Sequence, residues 1–384
     1  MNTFFLCLAI VTLLFWVAFG IELVIGSRSI RFLKDVPSSK RLPTPKTSII
    51  IPACNEEKHI QEALQSVLNQ DYESLEFIII NDRSTDQTGA ILTRMEKADP
   101  RLRVLRIKEL PLGWLGKNHA LYYGAQNATG EWLLFTDADV VMQPSTVSRA
   151  ASYMLENQLD HLTIASEVRM PGVILGMFTA AFGIFFSLYA RPWKAKNPRS
   201  SKYVGIGGFN MVRAKVYRAV GTHQAIAMRP DDDMKLGKLI KKNGYRQELL
   251  FGKQMIHVEW HSSLRGLIDG LMKNTFAAVD YNIPAIIVGS IVQFLFNVWP
   301  FLGMFFTSGI TQIINFMTIL TILLVCWDGT RFHNLRRWYG IGFPICTLLF
   351  IYIMWKSMLM TIFNNGINWR GTHYPLAELK ANKV

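Results

Sequence analysis

Apolar and polar positions divide this chain into stretches of different grain. Residues 4–21, FFLCLAIVTLLFWVAFGI, form one unbroken apolar run close to the length that crosses a bilayer. From about Pro284 to Phe363 apolar residues dominate again. That region divides best into spans of roughly 284–304, 306–327 and 341–363, with a short basic loop before the last. Between these ends the grain changes, and short apolar runs alternate with amphipathic segments.

The alternation predicts a fold class. KTSIIIPACNEE (46–57) predicts a buried strand ending at Pro52, and HIQEALQSVLNQ (59–70) has the helical period. LEFIIINDRSTD (75–86) predicts a second strand, TGAILTRMEKAD (88–99) a helix and LRVLRI (102–107) a third strand. GKNHALYYGAQNAT (116–129) then predicts a helix, and WLLFTDAD (132–139) a fourth strand. This βαβα order implies an α/β fold with a mostly parallel sheet flanked by helices. Ligands of such sheets sit beyond the carboxyl ends of the strands. Three of those ends carry polar clusters: Asn55 and Glu56, Asn81 and Asp82, Asp137 and Asp139.

Composition sharpens the picture. Half of the 384 residues are hydrophobic, and the formal net charge is +13. The first apolar run lacks the basic start and small-residue cleavage site of a signal peptide, so it is expected to stay as an anchor. Arg28, Arg31, Lys34, Lys40 and Arg41 follow it and nothing basic precedes it, which orients residues 28 to about 280 toward the cytoplasm. The loop DGTRFHNLRRW (328–338) is expected on the same side, and the last span would then leave the C-terminal tail outside. Anionic headgroups account for part of the surplus positive charge, and no nucleic-acid-binding module is visible. The four cysteines, Cys7, Cys54, Cys326 and Cys346, form no CxxC pair, so neither a zinc site nor a disulfide framework follows.

Two acidic clusters carry the chemistry. In EWLLFTDADVV (131–141), Asp137 and Asp139 stand two residues apart, which on an extended chain points them to one side. Hard divalent cations such as Mg²⁺ or Mn²⁺ prefer carboxylate oxygens and bridge to substrate phosphates. The alternative is that one Asp caps the helix after QPST (143–146). In RPDDDMKLGKLIKKNGYR (229–246), three consecutive Asp open a helical segment. They could complement the helix dipole, but neighbouring like charges also raise a carboxylate's pKa, as a general base requires.

SIIIPACNEE, IIINDRSTDQT, LGKNHAL, GEWLLFTDADV, VGIGGFNMVRAKVY and DDDMKLGKLIKKNGY, in that order, resemble the family 2 glycosyltransferases over about residues 46–260. The resemblance implies a GT-A nucleotide-sugar-binding fold. It implies that Asp82 holds the nucleotide, that Glu56 lies near base and ribose, and that Asp139 is the more direct metal ligand of the Asp137–Asp139 pair. It places the catalytic base on Asp233, with Asp232 as second candidate. Lys117 becomes a candidate for the diphosphate or acceptor; the alternative is a solvated lysine at a helix start. The apolar tail is similar to that of membrane members acting on lipid or polysaccharide acceptors, and GINWRGTHYPLAEL (366–379) also resembles the end of bacterial members. One departure matters. The QxxRW motif of processive synthases and ceramide-type transferases is missing from HVEWHSSLRGLIDGLMKN (257–274), and NLRRW (334–338) only approximates it.

The implied activity is an inverting, metal-dependent transfer of a single sugar from a nucleoside-diphosphate sugar, UDP-linked for preference, to a hydroxyl of a membrane lipid, with no nucleic-acid partner. A processive polysaccharide synthase and a non-catalytic nucleotide-sugar-binding scaffold are the alternatives. The domain plan is an N-terminal anchor (1–27), a cytoplasmic catalytic domain (28–261), an amphipathic interfacial helix (262–282), about three transmembrane helices (283–363) and a tail (364–384) in a bacterial cell membrane. Within the catalytic domain, GVILGMFTAAFGIFFSLYA (172–190) is nearly a span by hydropathy. A crossing there would separate Asp139 from Asp233, so residues 172–192 are expected to be interfacial or re-entrant. The alternative is a core helix of the catalytic domain.

Overall fold

The computed structural model of the chain describes residues 2–38 and 45–384. Lys40 and Arg41, two of the basic residues behind the expected orientation, lie outside the described residues. In chain order the first elements are α1 (Asn2–Arg28), β1 (Thr47–Ala53), α2 (Ile60–Leu68), β2 (Leu75–Asp82), α3 (Thr88–Ala98), β3 (Leu102–Ile107), α4 (Gly116–Gln126) and β4 (Trp132–Phe135). Then come β5 (Val140–Met142), α5 (Thr146–Glu156), β6 (His161–Ala165), β7 (Glu167–Arg169), α6 (Val173–Ala190), β8 (Asn210–Arg213), α7 (Ala214–Ala219) and α8 (Asp232–Lys242). The chain continues through β9 (Gln247–Phe251), β10 (Ile256–Glu259), α9 (Leu264–Ala278), α10 (Ile283–Asn297), α11 (Trp299–Phe306), α12 (Ile310–His333) and α13 (Phe343–Phe363). It ends in β11 (Gly366–Trp369), β12 (Thr372–Pro375) and α14 (Leu376–Ala381). Two compact units result: one of residues up to Ser29, Val168–Arg191 and Trp260–Ile367, the other of Ile30–Glu167, Pro192–Glu259 and Asn368–Val384.

The second unit is the α/β body. Its seven-stranded sheet has the order β3-β2-β1-β4-β8-β6-β9. β1 pairs in parallel with β2 and β4, and β2 with β3, as the βαβα pattern predicts. β8 interrupts that direction, lying antiparallel to both β4 and β6. Strand residues alternate between two cores. Ile49, Ile51, Phe77 and Ile79 pack with α2, α3 and α5, while Ile50, Ile78 and Ile80 pack with Ala120 and Leu121 of α4 and Leu236 and Ile240 of α8. Burial on both faces explains why these strands read as unbroken isoleucine runs.

The first unit holds the apolar helices. Among the described residues four helices are long and apolar enough to cross a membrane: Thr3–Arg28, Val173–Lys194, Ile310–His333 and Arg337–Phe363. α1 and α12 pack closely enough that a Cβ on Gly20 would stand 2.9 Å from Val325, and Arg28 pairs with Asp328 at 2.7 Å. The expected span 284–304 is broken in two at Val298, between α10 and α11, and α9 and α10 meet at 114°. α6 is one continuous helix grouped with these helices, and Arg191 at its end reaches Glu22 of α1 at 3.4 Å. It is therefore not a core helix of the α/β body, and an unbroken helix leaves no room for a dip and return within it.

One expectation is overturned. Residues Asn368–Val384 belong to the α/β unit and hydrogen bond to it, against the expectation that the tail lies apart from it.

Candidate active site

The parallel strands β1, β2 and β4 end at one edge, and the polar residues after them come together there. Asn55 organises the first two ends. Its side-chain oxygen accepts the amide of Thr85 at 2.8 Å, while its own amide donates to Ser84 Oγ at 3.1 Å. Asn55 and Arg83 both take left-handed backbone, with φ of 56° and 55°, which bends the chain sharply off each strand. Glu56 is tied by its backbone amide to Thr88 Oγ1 at 2.8 Å. Asp82 is buried at 3 % exposure, and both its oxygens are held by the guanidinium of Arg83, at 2.7 and 3.0 Å. Gly116 opens α4 directly against this pair, where a Cβ would lie 2.6 Å from both groups.

The Asp-Ala-Asp acids are not on extended chain. β4 ends at Phe135, and Asp137 and Asp139 occupy the turn before β5. Ala138 between them is buried, and the two carboxylates are near enough that the charge of Asp137 acts on Asp139. Asp137 is paired with Lys117 Nζ at 2.8 Å, and the same ammonium stands 3.6 Å from Asp232. Burial alone would lower the Lys117 pKa, but Asp137, Asp232 and Asp233 together raise it, so the lysine stays charged. Lys117, at the start of α4, is thus ion-paired rather than freely solvated. Asp139 is pushed up to about 7 by burial and by the charges of Asp137 and Glu56.

The three acids at α8 divide their labour. Asp231 is structural: Arg229, itself almost fully buried, holds it at 3.0 Å, and Lys235 approaches it at 3.6 Å. Asp232 faces Lys117. Asp233 accepts the amide of Gly207 at 2.8 Å and that of Met234 at 2.7 Å. Burial and the neighbouring Asp232 push it up to about 7, a proton affinity suited to a general base. A narrow cleft is lined by Lys117, Asp137, Asp232, Asp233, Gly207 and His223, among others. His223 is held neutral by burial, its pKa lowered to about 3, with Tyr217 Oη 2.8 Å from Nδ1.

The glycines of VGIGGFN explain how the cleft closes so tightly. A Cβ on Gly207 would stand 2.7 Å from Asp137 Oδ2 and 3.3 Å from Lys117 Nζ. A Cβ on Gly205 would collide with the carbonyl of Asp233. Asn118 completes the frame: its side-chain amide donates to the carbonyls of Ile226, Ala227 and Arg229, fixing α4 to the approach to α8. The predicted residues thus converge: Lys117, Asp137, Asp232 and Asp233 line one cleft, Glu56 acts electrostatically on Asp139, and Asp82 sits beside the start of α4.

Among the described residues no group of three or more His, Cys, Asp or Glu is arranged to hold a metal. Two carboxylates whose mutual repulsion raises a pKa do fit a hard divalent cation that takes its other oxygens from phosphates and water. Residues missing from the sequence reading are Arg83, which saturates Asp82, and Arg370 and Tyr374 of the tail. Arg370 pairs with Glu56, and Tyr374 Oη accepts the Gly116 amide at 3.2 Å.

Comparison with known proteins agrees with this geometry. Residues 48–221 match Glycosyl transferase family 2. An uncharacterized glycosyltransferase of Haemophilus influenzae is 36 % identical over 119 residues, 31 % of this chain and 35 % of that protein. The match therefore spans about a third of that relative. The 4,4'-diaponeurosporenoate glycosyltransferase of Staphylococcus aureus is 22 % identical over 345 residues, 86 % of this chain and 88 % of the relative. The mannosyltransferase PcManGT from Pyrobaculum calidifontis, solved with GDP-Man and Mn²⁺, shares the fold with a TM-score of 0.55 at 18 % identity, over 92 % of this chain and 99 % of that one. The α/β unit thus carries a match to Glycosyl transferase family 2 over residues 48–221, and its fold is that of the Pyrobaculum mannosyltransferase.

Proposed function

We propose that the protein transfers a single sugar from a nucleoside-diphosphate sugar to a hydroxyl of a membrane lipid, with inversion at the sugar's C1. The observation that carries this reading is Asp233: a carboxylate fixed by two backbone amides, raised to about 7, on a cleft it shares with a charged lysine. The acceptor hydroxyl gives its proton to Asp233 as its oxygen bonds to C1. The bond from C1 to the diphosphate oxygen breaks, and the nucleoside diphosphate leaves with the electron pair. Lys117 brings a positive charge to the cleft where that diphosphate charge develops. Asp137 and Asp139 are the residues that would hold Mg²⁺ or Mn²⁺, which supplies neutralisation of the leaving group when bound. The GDP-Man and Mn²⁺ of the Pyrobaculum enzyme support donor class and metal alike. Asp82 with Arg83, and Glu56, border the nucleotide end.

A lipid acceptor is supported by the four apolar helices and by the carotenoid-type name of the full-length Staphylococcus relative. We place the α/β unit on the cytoplasmic face of an integral membrane protein. The test is mass spectrometry of lipid extracts from cells with and without the protein. A lipid gaining one hexose-type residue supports the reading; a ladder of polymer lengths would instead indicate a processive synthase, and donor hydrolysis with no glycosylated product a non-catalytic binding protein.

A further inference from the structure

We propose that the C-terminal segment after the last apolar helix is a working wall of the donor site, and that the guanidinium of Arg370 binds the nucleoside diphosphate. The inference rests on the nucleoside-diphosphate-sugar reading above.

The segment is built into the α/β unit. Leu379 is fully buried and Tyr374 nearly so. Asn382 donates to the carbonyl of Ala225 at 3.0 Å and accepts the amide of Met228 at 2.9 Å, and Lys238 Nζ donates to the carbonyl of Val384 at 2.5 Å. A chain anchored at this many points is not a loose end that a ligand displaces.

What it touches is the nucleotide end of the site. Arg370 pairs with Glu56, Thr372 Oγ1 accepts from Arg83 at 3.3 Å, and Tyr374 Oη accepts the amide of Gly116 at 3.2 Å. One hairpin therefore reaches the ends of β1 and β2 and the start of α4. Chance packing of a tail would not select those three elements.

The backbone singles out Arg370. β11 and β12 are joined by Arg370 and Gly371, with φ of 48° and 78°, so both turn residues are left-handed. Two-residue hairpins of this kind favour Asn or Gly at the first position, because a long side chain is disfavoured there. An arginine in that place is accounted for by its head group. The Arg370 side chain is 39 % exposed. Its fork of five N–H donors exceeds what one carboxylate oxygen and the neighbouring Cys54 thiol can take. Arg83 already spends two donors on Asp82, and Lys117 is shared between Asp137 and Asp232. A diphosphate entering among these acids needs a further cation, and a planar guanidinium suits phosphate oxygens.

The experiment is calorimetric titration of the full-length protein in nanodiscs with UDP and with GDP, in the presence of Mn²⁺. Arg370→Ala should weaken binding of the better nucleotide about ten- to hundredfold, the size of a charge-assisted contact. Arg370→Lys should recover only part of it. Arg370→Ala should weaken binding at least tenfold in a Glu56→Gln background as well. Equal affinity of wild type and Arg370→Ala, or a loss that vanishes in the Glu56→Gln background, overturns the proposal; the latter would make Arg370 a mere partner of Glu56. If the Ala variant does not fold, Arg370→Gln is read in the same way. Binding of neither nucleotide by the wild type would instead refute the donor reading, and this inference with it.

Discussion

Asp233→Asn should make the enzyme slower and its fold firmer at once. Asparagine cannot take the acceptor's proton, so turnover should fall by about two to four orders of magnitude while donor binding persists. The stability effect follows from the carboxyl's raised pKa. Going from 3.8 to about 7 is roughly three units, a ceiling near 4 kcal/mol for the cost of keeping this group ionised in the folded protein. Asparagine removes that cost but has one acceptor oxygen where aspartate has two, so either the Gly207 or the Met234 amide loses its partner. That loss costs about 0.5–1.5 kcal/mol. Sharing of charge with Asp232 and Lys117 reduces the gain further, leaving a net of about 1–2 kcal/mol. The sign with pH is definite. A carboxyl raised in the folded state binds extra protons there, so its cost is absent below about pH 4 and complete above about pH 7. The variant should therefore melt higher than wild type at pH 8 and slightly lower at pH 4. Melting curves of the purified protein at both pH values, with turnover at pH 8, test this. Equal destabilisation at both pH values, or retained turnover, would refute the reasoning.

The remaining predictions concern the neighbouring acids and α6. Excess chelator and Asp139→Asn should each abolish transfer, and isothermal titration with Mn²⁺ should show the Asn variant losing metal affinity; full activity in chelator would refute the metal assignment. Asp231→Ala should cost about 3–5 kcal/mol of stability, because it leaves the buried Arg229 and Lys235 without their shared carboxylate; a melting curve unchanged from wild type would refute its structural role. For α6, single cysteines near Val168 and Lys196 should both label from the cytoplasmic side of sealed vesicles; labelling from opposite sides would show a crossing.

The strand ends were legible because a strand buried on both faces forces its polar residues to its tip. IIIPACNEE, IIINDRSTD and LLFTDAD show that boundary in the letters themselves. The conformation of Asp137 and Asp139 was not legible, since either an extended end or a turn can follow a short apolar strand. β8 escaped because a short antiparallel strand lacks the helix-to-helix spacing that marks a βαβ unit. Among the three acids at α8 the resemblance pointed to Asp233 and Asp232, and the positions of Arg229 and Lys235 give Asp231 its own role. Arg370 lies 314 residues from Glu56, and no local pattern reports a contact at that range. The visible sign was the Arg-Gly pair between Asn-Trp and Thr-His, a two-residue turn whose first position is unusual.

The place of the tail in the chain has a consequence for how the enzyme comes into being. Asp82, Asp139 and Asp233 are all synthesised long before the last apolar helix, yet Arg370, Thr372 and Tyr374 leave the ribosome only after it. The wall of the donor site is thus made after both the sheet and the apolar helices. A nascent chain with its sheet folded but its membrane helices unfinished has every motif acid and no tail. A fragment ending after β10 would be in the same state, with Glu56 deprived of its arginine and the Gly116 amide of its phenol. Placing this contact after the apolar helices in the chain withholds a complete donor site until those helices have been made.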